Sequence, residues 1–372
     1  MEKGEPVSTS QPLYLQIYTI LKKRIFDENY GEGAFLPSER ELSEEFQVER
    51  ATVRRSLKLL SDENLIRKIP GTGSKILFPS PNSSLPKTID TDWISFVLPG
   101  NSVTKISEPF MALLFNDLET ECRKLGYSLF YTNATSYENL PALIREHGVK
   151  TVIWVSDVER SILDLAYKNK INSIVFGNEY KHFPSIAVDY FGGSQIALRH
   201  LIENGHQKIA LINGIPNYYT ARMRLDGYYT AMLRNKQPIV QDYVVNGDWG
   251  FESGYSCMRR LLALSAPPTA VFAANDMMGL GALKAATDLG LSVPEDVSII
   301  GGDNIKQSQY SSPTLTTVGP SIPQLAALLA QYAVASEQNS PAEKGVPPFK
   351  IIVPVVLYQR ASVRTLSGSG NS

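Results

Sequence analysis

Cysteine and histidine are scarce in this sequence, which limits the kinds of site that it can build. The 372 residues include two cysteines, Cys122 and Cys257, and four histidines. Two cysteines are too few for a disulfide framework or a cysteine-rich metal centre, and the histidines have no zinc-ligand spacing. We therefore expect no metal site, no cofactor and two buried free thiols, which are more common than a single chance disulfide.

An excess of charge of either sign is also missing. Lysine and arginine number 36 against 37 aspartates and glutamates, which gives a net charge of −1. This balance excludes a basic protein that coats nucleic acid with its whole surface, and it excludes a strongly acidic solvating protein. It does not exclude a small basic surface, because opposite charges elsewhere in the chain cancel such a surface in the total.

Long apolar runs are absent as well. The longest uncharged stretch, 307–336, is rich in Ser, Thr, Gln and Pro, and its apolar part is too short to cross about 30 Å of hydrocarbon. The first 16 residues contain no apolar segment followed by a cleavage site, so they do not resemble a signal peptide. We expect a cytoplasmic protein with no membrane partner, and the length predicts two or three domains.

Residues 11–78 have the pattern of a winged helix-turn-helix. Apolar residues at helical spacing predict three helices, and two short alternating strands follow around a Gly-rich turn. The expected bounds are helices at 12–28, 39–46 and 50–63 and strands at 65–69 and 74–78. Ser38 and Glu41 form an S-x-x-E capping box that starts the second helix. Such a domain places its third helix in the major groove of DNA and its wing near phosphates or the minor groove.

The charges of this segment are polarised along the chain. Residues 50–75 hold seven basic and two acidic side chains, a net of +5, whereas residues 36–49 hold one basic and five acidic side chains, a net of −4. The basic part coincides with the helix and wing that should face DNA. A solvated helix face with paired charges would give a similar excess, but it would not account for the capping box and the Gly-rich wing.

The stretch LPSERELSEEFQVERATVRRSLKLLSDENLIRKIPGTGSKI resembles the DNA-binding domain of the GntR family of bacterial regulators. The resemblance implies DNA contacts by Arg40, Arg50, Thr52, Arg54 and Gly71. Arginine can read guanine with two hydrogen bonds, threonine can contact phosphate or the thymine methyl group, and glycine allows the backbone to approach closely. Glu49 stands where the family usually has Ser or Thr. It is a poorer N-cap and repels phosphate, but it can accept a hydrogen bond from cytosine or orient Arg50.

A Pro- and Ser-rich linker is expected at 79–91, and residues 92–366 predict an α/β domain. Apolar runs alternate with helical stretches, which is typical of parallel strands that are buried on both faces of a sheet. The runs are 94–98, 129–131, 151–155, 173–176, 208–212, 270–273 and 297–300. The stretch Tyr190–Gly193 interrupts this alternation midway. We expect two doubly wound lobes around a cleft, a first crossover near 188–191 and a ligand at the carboxyl ends of the strands.

Several stretches of this domain resemble the effector domain of the LacI/GalR family, which shares the fold of periplasmic sugar-binding proteins. They include AVDYFGGSQIALRHLIENGHQKIALI at 187–212, ARMRLDGYYTAM at 221–232 and PPTAVFAANDMMGLGALKAATDLGLSVPEDVSIIGGDN at 267–304. Joined to a GntR-type head, they resemble the architecture of the arabinose repressors of Gram-positive bacteria. The resemblance implies that this domain binds an effector and forms a dimer.

The same resemblance implies effector contacts by Phe110, Asn178, Arg224, Trp249, Asn275 and Asp303. Their chemistry suits a sugar, since a carboxylate accepts vicinal hydroxyls, arginine donates a fork of hydrogen bonds, and tryptophan offers a flat apolar face. Trp249 taken alone is more often a packing residue, and Asp303 taken alone is as often a loop cap. We interpret Asp276 as the N-cap of the helix that follows it.

Three features depart from the LacI/GalR pattern. Asn178 carries an amide where the family has aspartate, which indicates a different hydroxyl pattern or a less polar ligand. The family's N-P-F-F-like turn reads EPFM at 108–111, after a few extra residues. No LacI-type hinge helix precedes Trp93, so insertion of a hinge helix into the minor groove cannot couple the two domains.

We predict a sequence-specific transcription regulator, a repressor that is released by a small sugar bound between the lobes. Two heads on a homodimer would read palindromic double-stranded operator DNA. An activator or a corepressor-dependent regulator stays open, and so does a carbohydrate-binding protein of the solute-transport type, although the head argues against it. An enzyme is not predicted, because the sequence contains no readable phosphate loop, Ser-His-Asp set or metal-linked base.

Overall fold

The computed structural model describes residues 12–26, 34–62, 65–69, 72–77, 92–99, 105–134, 148–156, 158–338 and 348–366. The chain divides into two units, Met1–Asp90, called the head, and Thr91–Ser372, called the effector unit. The linker expected at 79–91 lies outside the described residues.

The head contains the three helices that the sequence predicts, α1 (Leu13–Phe26), α2 (Glu39–Glu45) and α3 (Arg50–Asp62). The capping box of α2 is confirmed: the Ser38 hydroxyl accepts the N–H of Glu41 at 3.2 Å, and the Glu41 carboxylate accepts the N–H of Ser38 at 2.7 Å. Apolar side chains of the three helices share one core, which includes Ile17, Leu21, Leu42, Val53, Leu57 and Leu60.

The predicted wing follows α3. Strands β1 (Ile66–Ile69) and β2 (Gly73–Ile76) pair antiparallel, with Arg67 opposite Lys75. Phe35 forms an isolated bridge to Lys75, so the segment before α2 also borders the wing. The wing tip at Gly71 lies outside the described part of the chain.

In the effector unit, buried strands alternate with helices. The strands are β3 (Asp92–Pro99), β4 (Tyr127–Ala134), β5 (Val149–Val155), β6 (Ser173–Phe176), β7 (Ser185–Val188), β8 (Ile209–Asn213), β9 (Val244–Asn246), β10 (Ala270–Ala273), β11 (Ser298–Gly302), β12 (Thr316–Gly319), β13 (Lys350–Val353) and β14 (Val356–Tyr358). The helices are α4 (Pro109–Lys124), α5 (Arg160–Lys168), α6 (Tyr190–Glu203), α7 (Tyr219–Arg234), α8 (Phe251–Leu262), α9 (Asp276–Asp288) and α10 (Ile322–Gln338). Each of the seven apolar runs that predict a strand overlaps a strand of the structure, with at most one residue of the run outside it.

These strands form two sheets, each of six strands within the described residues. The sheet of the N-lobe has the order β13-β7-β6-β5-β3-β4 and is parallel. The sheet of the C-lobe has the order β14-β12-β11-β10-β8-β9, and its edge strand β14 is antiparallel to β12. The predicted α/β architecture with two doubly wound lobes is therefore confirmed.

The chain passes between the lobes after β7, after β12 and between β13 and β14. Tyr190–Gly193, which we expected to interrupt the alternation, is the first turn of α6. The Asp189 side chain caps this helix by accepting the Gly192 N–H at 2.8 Å. Helix α6 packs on C-lobe strands, and α10 packs on the N-lobe, so both lobes are completed by segments from distant parts of the chain.

Both cysteines are free and buried, as the sequence predicts. Burial raises the pKa of the Cys122 thiol to about 12. Within the described ranges, no helix combines the length and apolar character needed to cross a bilayer. The same ranges hold no group of three or more His, Cys, Asp or Glu side chains that could bind a metal ion.

Candidate functional site

Helix α3 carries three of the predicted DNA contacts of the head, Arg50, Thr52 and Arg54. Arg50 and Arg54 are exposed and Thr52 is half-buried, whereas Val53 is fully buried in the head core. The Glu49 carbonyl accepts the N–H of Thr52 at 2.9 Å, so Glu49 stands immediately before the helix, with its side chain exposed. The fold thus presents two arginines and a threonine on one helix and places an acidic side chain at its start.

Two carboxylates of α2 pair with arginines of this surface. Arg40 pairs with Glu44 along α2, with an Nε–Oε1 distance of 2.9 Å. Glu39 bridges cations from two other elements, since Arg54 Nε on α3 and Lys68 Nζ on β1 each lie 2.7 Å from one of its oxygens. The hydrogen bonds from Lys68 and Arg54 lower the pKa of Glu39. Sequence reasoning missed Glu39 and Lys68, because no local pattern links these three positions.

A cavity of about 380 Å³ lies between the two lobes of the effector unit, a size typical of small-molecule sites. Strand ends meet there, as expected for parallel sheets: Leu98 of β3, Val155 of β5, Asn275 after β10 and Asp303 after β11. The other lining residues are Glu108, Pro109, Phe110, Met111, Ser156, Tyr190, Ile215, Tyr218, Thr220, Arg224, Asp248, Trp249, Gly250, Met277 and Ile305.

Arg224 brings a buried positive charge into the wall of this cavity. Its guanidinium carbon lies 4.0 Å from the ring centroid of Tyr190 and 5.3 Å from that of Trp249, within cation–π range. Its Nη2 donates to Asp303 Oδ1 at 3.2 Å. Burial raises the pKa of Asp303, and the neighbouring Arg224 opposes that shift. The four side chains form one cluster that combines a cation, a carboxylate and two flat rings, which we call the cavity cluster.

The loop that carries Asp303 is held by a buried network. Asp303 and Asn304 have φ angles of 99° and 59°, a region that non-glycine residues rarely adopt. The fully buried Asp276 accepts the N–H of Ile305 at 2.8 Å and the hydroxyl of Thr317 at 2.5 Å. Burial is the main cause that raises the pKa of Asp276 well above its ordinary value, and the charge of the nearby Asp303 raises it further. This carboxyl group does not line the cavity and instead fixes the loop that does.

The interpretation of Asp276 as an N-cap is wrong. The cap of α9 is Asn275, whose Oδ1 accepts the N–H of Met278 at 2.9 Å. The Nδ2 of Asn275 donates to the carbonyl of Trp249 at 2.9 Å. Asn275 therefore lines the cavity while both of its polar atoms also hold the cavity wall.

Trp249 can occupy its place because the residue that it covers is a glycine. A Cβ atom at Gly214 would lie 2.1 Å from the Trp249 ring, so any larger residue there would displace the indole. Trp249 itself has a φ of 76°, and this backbone is secured by the hydrogen bond from Asn275. The sequence pointed to the tryptophan and not to the glycine that makes room for it.

Five of the six predicted effector contacts line the cavity, namely Phe110, Arg224, Trp249, Asn275 and Asp303. Asn178 is not among the lining residues. Its Oδ1 accepts the N–H of Glu179 at 2.8 Å, within its own loop after β6. Effector contact by Asn178 stays a prediction.

Tyr190, Tyr218, Thr220 and Asp248 also line the cavity, and sequence reasoning missed them. Tyr190 follows β7, Tyr218 and Thr220 follow β8, and Asp248 follows β9. Each position lies beyond the carboxyl end of a strand, where ligands of such folds bind. Applying that rule to every strand would have pointed to these segments.

The chain matches two family models. Residues 13–76 match the model for bacterial regulatory proteins of the gntR family. Residues 198–363 match the model for the periplasmic binding protein-like domain. The first match covers the helices and wing of the head, and the second covers much of the effector unit.

Curated relatives are named as transcriptional repressors. The HTH-type transcriptional repressor PurR of Pasteurella multocida (strain Pm70) is 36% identical over 236 residues, which cover 61% of this chain and 71% of the relative. The probable HTH-type transcriptional repressor ExuR of Bacillus subtilis (strain 168) is 37% identical over 247 residues, which cover 65% of this chain and 72% of the relative.

Solved structures of regulators have the same fold. A LacI family transcriptional regulator from Enterococcus faecium with bound ribose is 28% identical, with a TM-score of 0.65 and coverage of 74% of this chain and 100% of that one. The regulator CelR in complex with cellobiose has a TM-score of 0.66 at 24% identity, with coverage of 85% and 92%. The Lac repressor dimer bound to operator has a TM-score of 0.64 at 22% identity, with coverage of 74% and 94%.

Proposed function

The chain belongs to the LacI family of transcriptional repressors and carries a GntR-type DNA-binding head, and on this premise we propose that a sugar bound between its lobes releases it from operator DNA. The proposed DNA contacts are Arg40, Glu49, Arg50, Thr52, Arg54 and Gly71. No catalytic step is part of the proposal, because the relatives are named as transcription repressors.

The observation that carries the proposal is the cavity cluster of Tyr190, Arg224, Trp249 and Asp303. A sugar presents hydroxyl groups around its ring and C–H groups on its faces. The carboxylate of Asp303 can accept from hydroxyls, Arg224 can donate to hydroxyl or ring oxygens, and Trp249 can cover a C–H face. The related regulator from Enterococcus faecium with bound ribose supports a sugar as the ligand.

Both lobes contribute to the proposed effector site. Phe110 and Asn178 come from the N-lobe, whereas Arg224, Trp249, Asn275 and Asp303 come from the C-lobe. A ligand that contacts both lobes favours one angle between them, and it shifts the population toward that state only by its difference in affinity for the two states. Release from DNA then requires tighter sugar binding to the state that does not bind operator, with a typical coupling of about 1–3 kcal/mol.

We also propose that the regulator acts as a cytoplasmic homodimer on a palindromic operator. A twofold-symmetric dimer presents two identical heads to two half-sites that are related by the same symmetry. The Lac repressor, which shares the fold, was crystallised as a dimer on its operator. Sedimentation of the full chain with and without DNA measures the number of subunits in the complex.

A thermal-shift screen with ribose, cellobiose and a panel of other pentoses, hexoses and disaccharides tests the proposal. A sugar that binds the folded chain raises its melting temperature, and at one hundred times its Kd it stabilises the fold by about 2.7 kcal/mol. The active sugar is then titrated into the complex of the full chain with a DNA duplex that the protein has selected from a random library.

Release of the duplex supports a sugar-released repressor. Tighter DNA binding in the presence of sugar would instead make the sugar a corepressor. If no sugar in the panel changes the melting temperature or the DNA affinity, the sugar effector is the wrong proposal.

A further inference from the structure

Glu39 places an acidic group between two cations of the head, Arg54 and Lys68. It is the first residue of α2, and its two carboxylate oxygens reach one cation on α3 and one on the wing strand β1. A negative charge on a DNA-binding face repels phosphate and so weakens general DNA affinity. Glu39 lies where α2, α3 and β1 meet, so its contacts can link the three elements.

The bond from Arg54 uses the Nε atom of the guanidinium, which donates to Glu39 Oε2 at 2.7 Å. In the described part of the chain, the structure gives the two Nη groups of Arg54 no hydrogen-bond partner. The Nη edge is the one that can donate two parallel hydrogen bonds to guanine O6 and N7. A carboxylate on Nε therefore restrains the orientation of the guanidinium and leaves its Nη edge available for a base.

The second bond ties the wing to the same carboxylate. Lys68 Nζ donates to Glu39 Oε1 at 2.7 Å, and Lys68 lies on β1, 29 residues along the chain. The Glu39 side chain is 23% exposed, against 63% for Arg54 and 70% for Lys68. Glu39 is therefore the least exposed of the three side chains, and the two cations project beyond it toward solvent.

A bridge of this kind adds little to the stability of the fold, because exposed ion pairs are screened by water and salt. Its main effect is on side-chain position, because one carboxylate restrains a side chain on the recognition helix and another on the wing. The two hydrogen bonds also keep the carboxylate ionised, since they lower its pKa.

We propose that Glu39 is a positioning residue for DNA sequence readout, which orients Arg54 and couples the recognition helix to Lys68 of the wing. It lowers affinity for DNA of any sequence through its charge and raises discrimination in favour of the operator through the orientation of Arg54. This inference rests on the proposed role of Arg54 as a DNA contact.

The test compares the affinity of the full chain for two DNA duplexes at one fixed salt concentration. One duplex is selected from a random library by the wild-type protein, and the other has the same length and composition in scrambled order. Glu39→Gln should bind the scrambled duplex about two- to threefold more tightly, because one repulsive charge is gone. It should bind the selected duplex about tenfold more weakly, because Arg54 loses its orientation.

Glu39→Asp separates position from charge. It keeps the negative charge but shortens the side chain by one methylene, so the two cations can no longer be bridged in the same geometry. We expect it to retain the wild-type affinity for the scrambled duplex and to lose discrimination. If Glu39→Asp and the wild type discriminate equally well, position does not matter and the proposal is wrong.

Glu45→Gln is the matched control. Glu45 lies on the same helix and pairs with Arg24 of α1 at 2.5 Å, and neither residue is a proposed DNA contact. This variant removes one negative charge from the head, so it should change both affinities in the same direction and leave their ratio within about twofold of the wild type.

Arg54→Ala distinguishes failure of this inference from failure of the proposed function. If Arg54→Ala does not weaken binding to the selected duplex, the proposed DNA contact itself is wrong. If Arg54→Ala weakens that binding while Glu39→Gln strengthens binding to both duplexes equally, Glu39 acts only through its charge and the positioning role is overturned. With the positioning role correct, Glu39→Gln causes no further loss of discrimination in the Arg54→Ala background.

Discussion

The head and the effector unit each contain an arginine paired with a carboxylate, and the two pairs differ mainly in their exposure to water. The side chains of Arg54 and Glu39 are 63% and 23% exposed, whereas those of Arg224 and Asp303 are 8% and 15% exposed. An exposed pair contributes about 0–1 kcal/mol to stability, while breaking a buried pair leaves an uncompensated charge. The same chemistry therefore orients a side chain in the head and holds together a cavity wall in the effector unit.

Arg224→Ala has the largest expected effect, which is a loss of stability of the effector unit. It leaves the Asp303 carboxylate buried without its cation, which typically costs about 3–5 kcal/mol. Part of this cost is relieved by proton uptake, since burial already raises the pKa of Asp303. Urea unfolding followed by tryptophan fluorescence measures the loss, because all three tryptophans lie in the effector unit.

The matched change in the head, Arg54→Ala, should lower the stability of the head by less than about 1 kcal/mol, measured by far-ultraviolet circular dichroism. Equal losses in the two variants would contradict the view that exposure separates the two pairs.

Asp303→Asn has the next largest effect, which is measured on sugar binding. The amide keeps the volume of the side chain but removes the charge that accepts sugar hydroxyls, so sugar affinity should fall about 30- to 100-fold. Binding to the selected duplex without sugar should be unchanged, which gives a repressor that sugar does not release. Calorimetry with the active sugar and fluorescence anisotropy with the duplex measure the two affinities.

Arg54→Ala is the converse variant for this prediction. It should weaken duplex binding by about 1–3 kcal/mol and leave the sugar affinity intact. Loss of both DNA binding and sugar binding in either variant, with folding preserved, would contradict the assignment of these functions to separate units.

Tyr219→Phe has the smallest expected effect and examines an exposed contact between the lobes. The Tyr219 hydroxyl of the C-lobe donates to Glu179 of the N-lobe at 2.8 Å, and Lys350 of the N-lobe contacts both. Because the cluster is exposed, removing the hydroxyl should change the sugar concentration for half-release by less than about threefold. A shift of tenfold or more would place this contact in the same class as the buried pair.

Features that depend on neighbouring residues were readable in the sequence. The capping box of Ser38 and Glu41 needs only four consecutive positions, and it stands in the structure as expected. Seven strands were visible as apolar runs, because a strand covered on both faces has no polar side. The buried strands β7 and β12 were not among those runs. Trp249 and Asp303 could be placed near a ligand site because of the family resemblance and the chemistry of their side chains.

Features that depend on which side chains meet could not be read from the sequence alone. Asp276 was interpreted as a cap, but its buried carboxyl group accepts from Ile305 and Thr317, 29 and 41 residues away. The Oδ1 of Asn178 accepts the N–H of Glu179 within its own loop, and effector contact by Asn178 stays a prediction. Both side chains have several possible partners of equal chemistry, and only packing selects among them.

The sequence by itself determined the winged head, the two parallel-sheet lobes and the residue types that meet at strand ends, because periodicity, caps and turns are local properties of a chain. The tertiary structure alone decided that Arg224 lies between two aromatic rings, that Gly214 makes room for Trp249 and that Glu39 reaches both Arg54 and Lys68. Partners separated by 15, 29 or 79 residues leave no periodic signal, and the strength of each ion pair depends on a burial that exists only after the chain has folded.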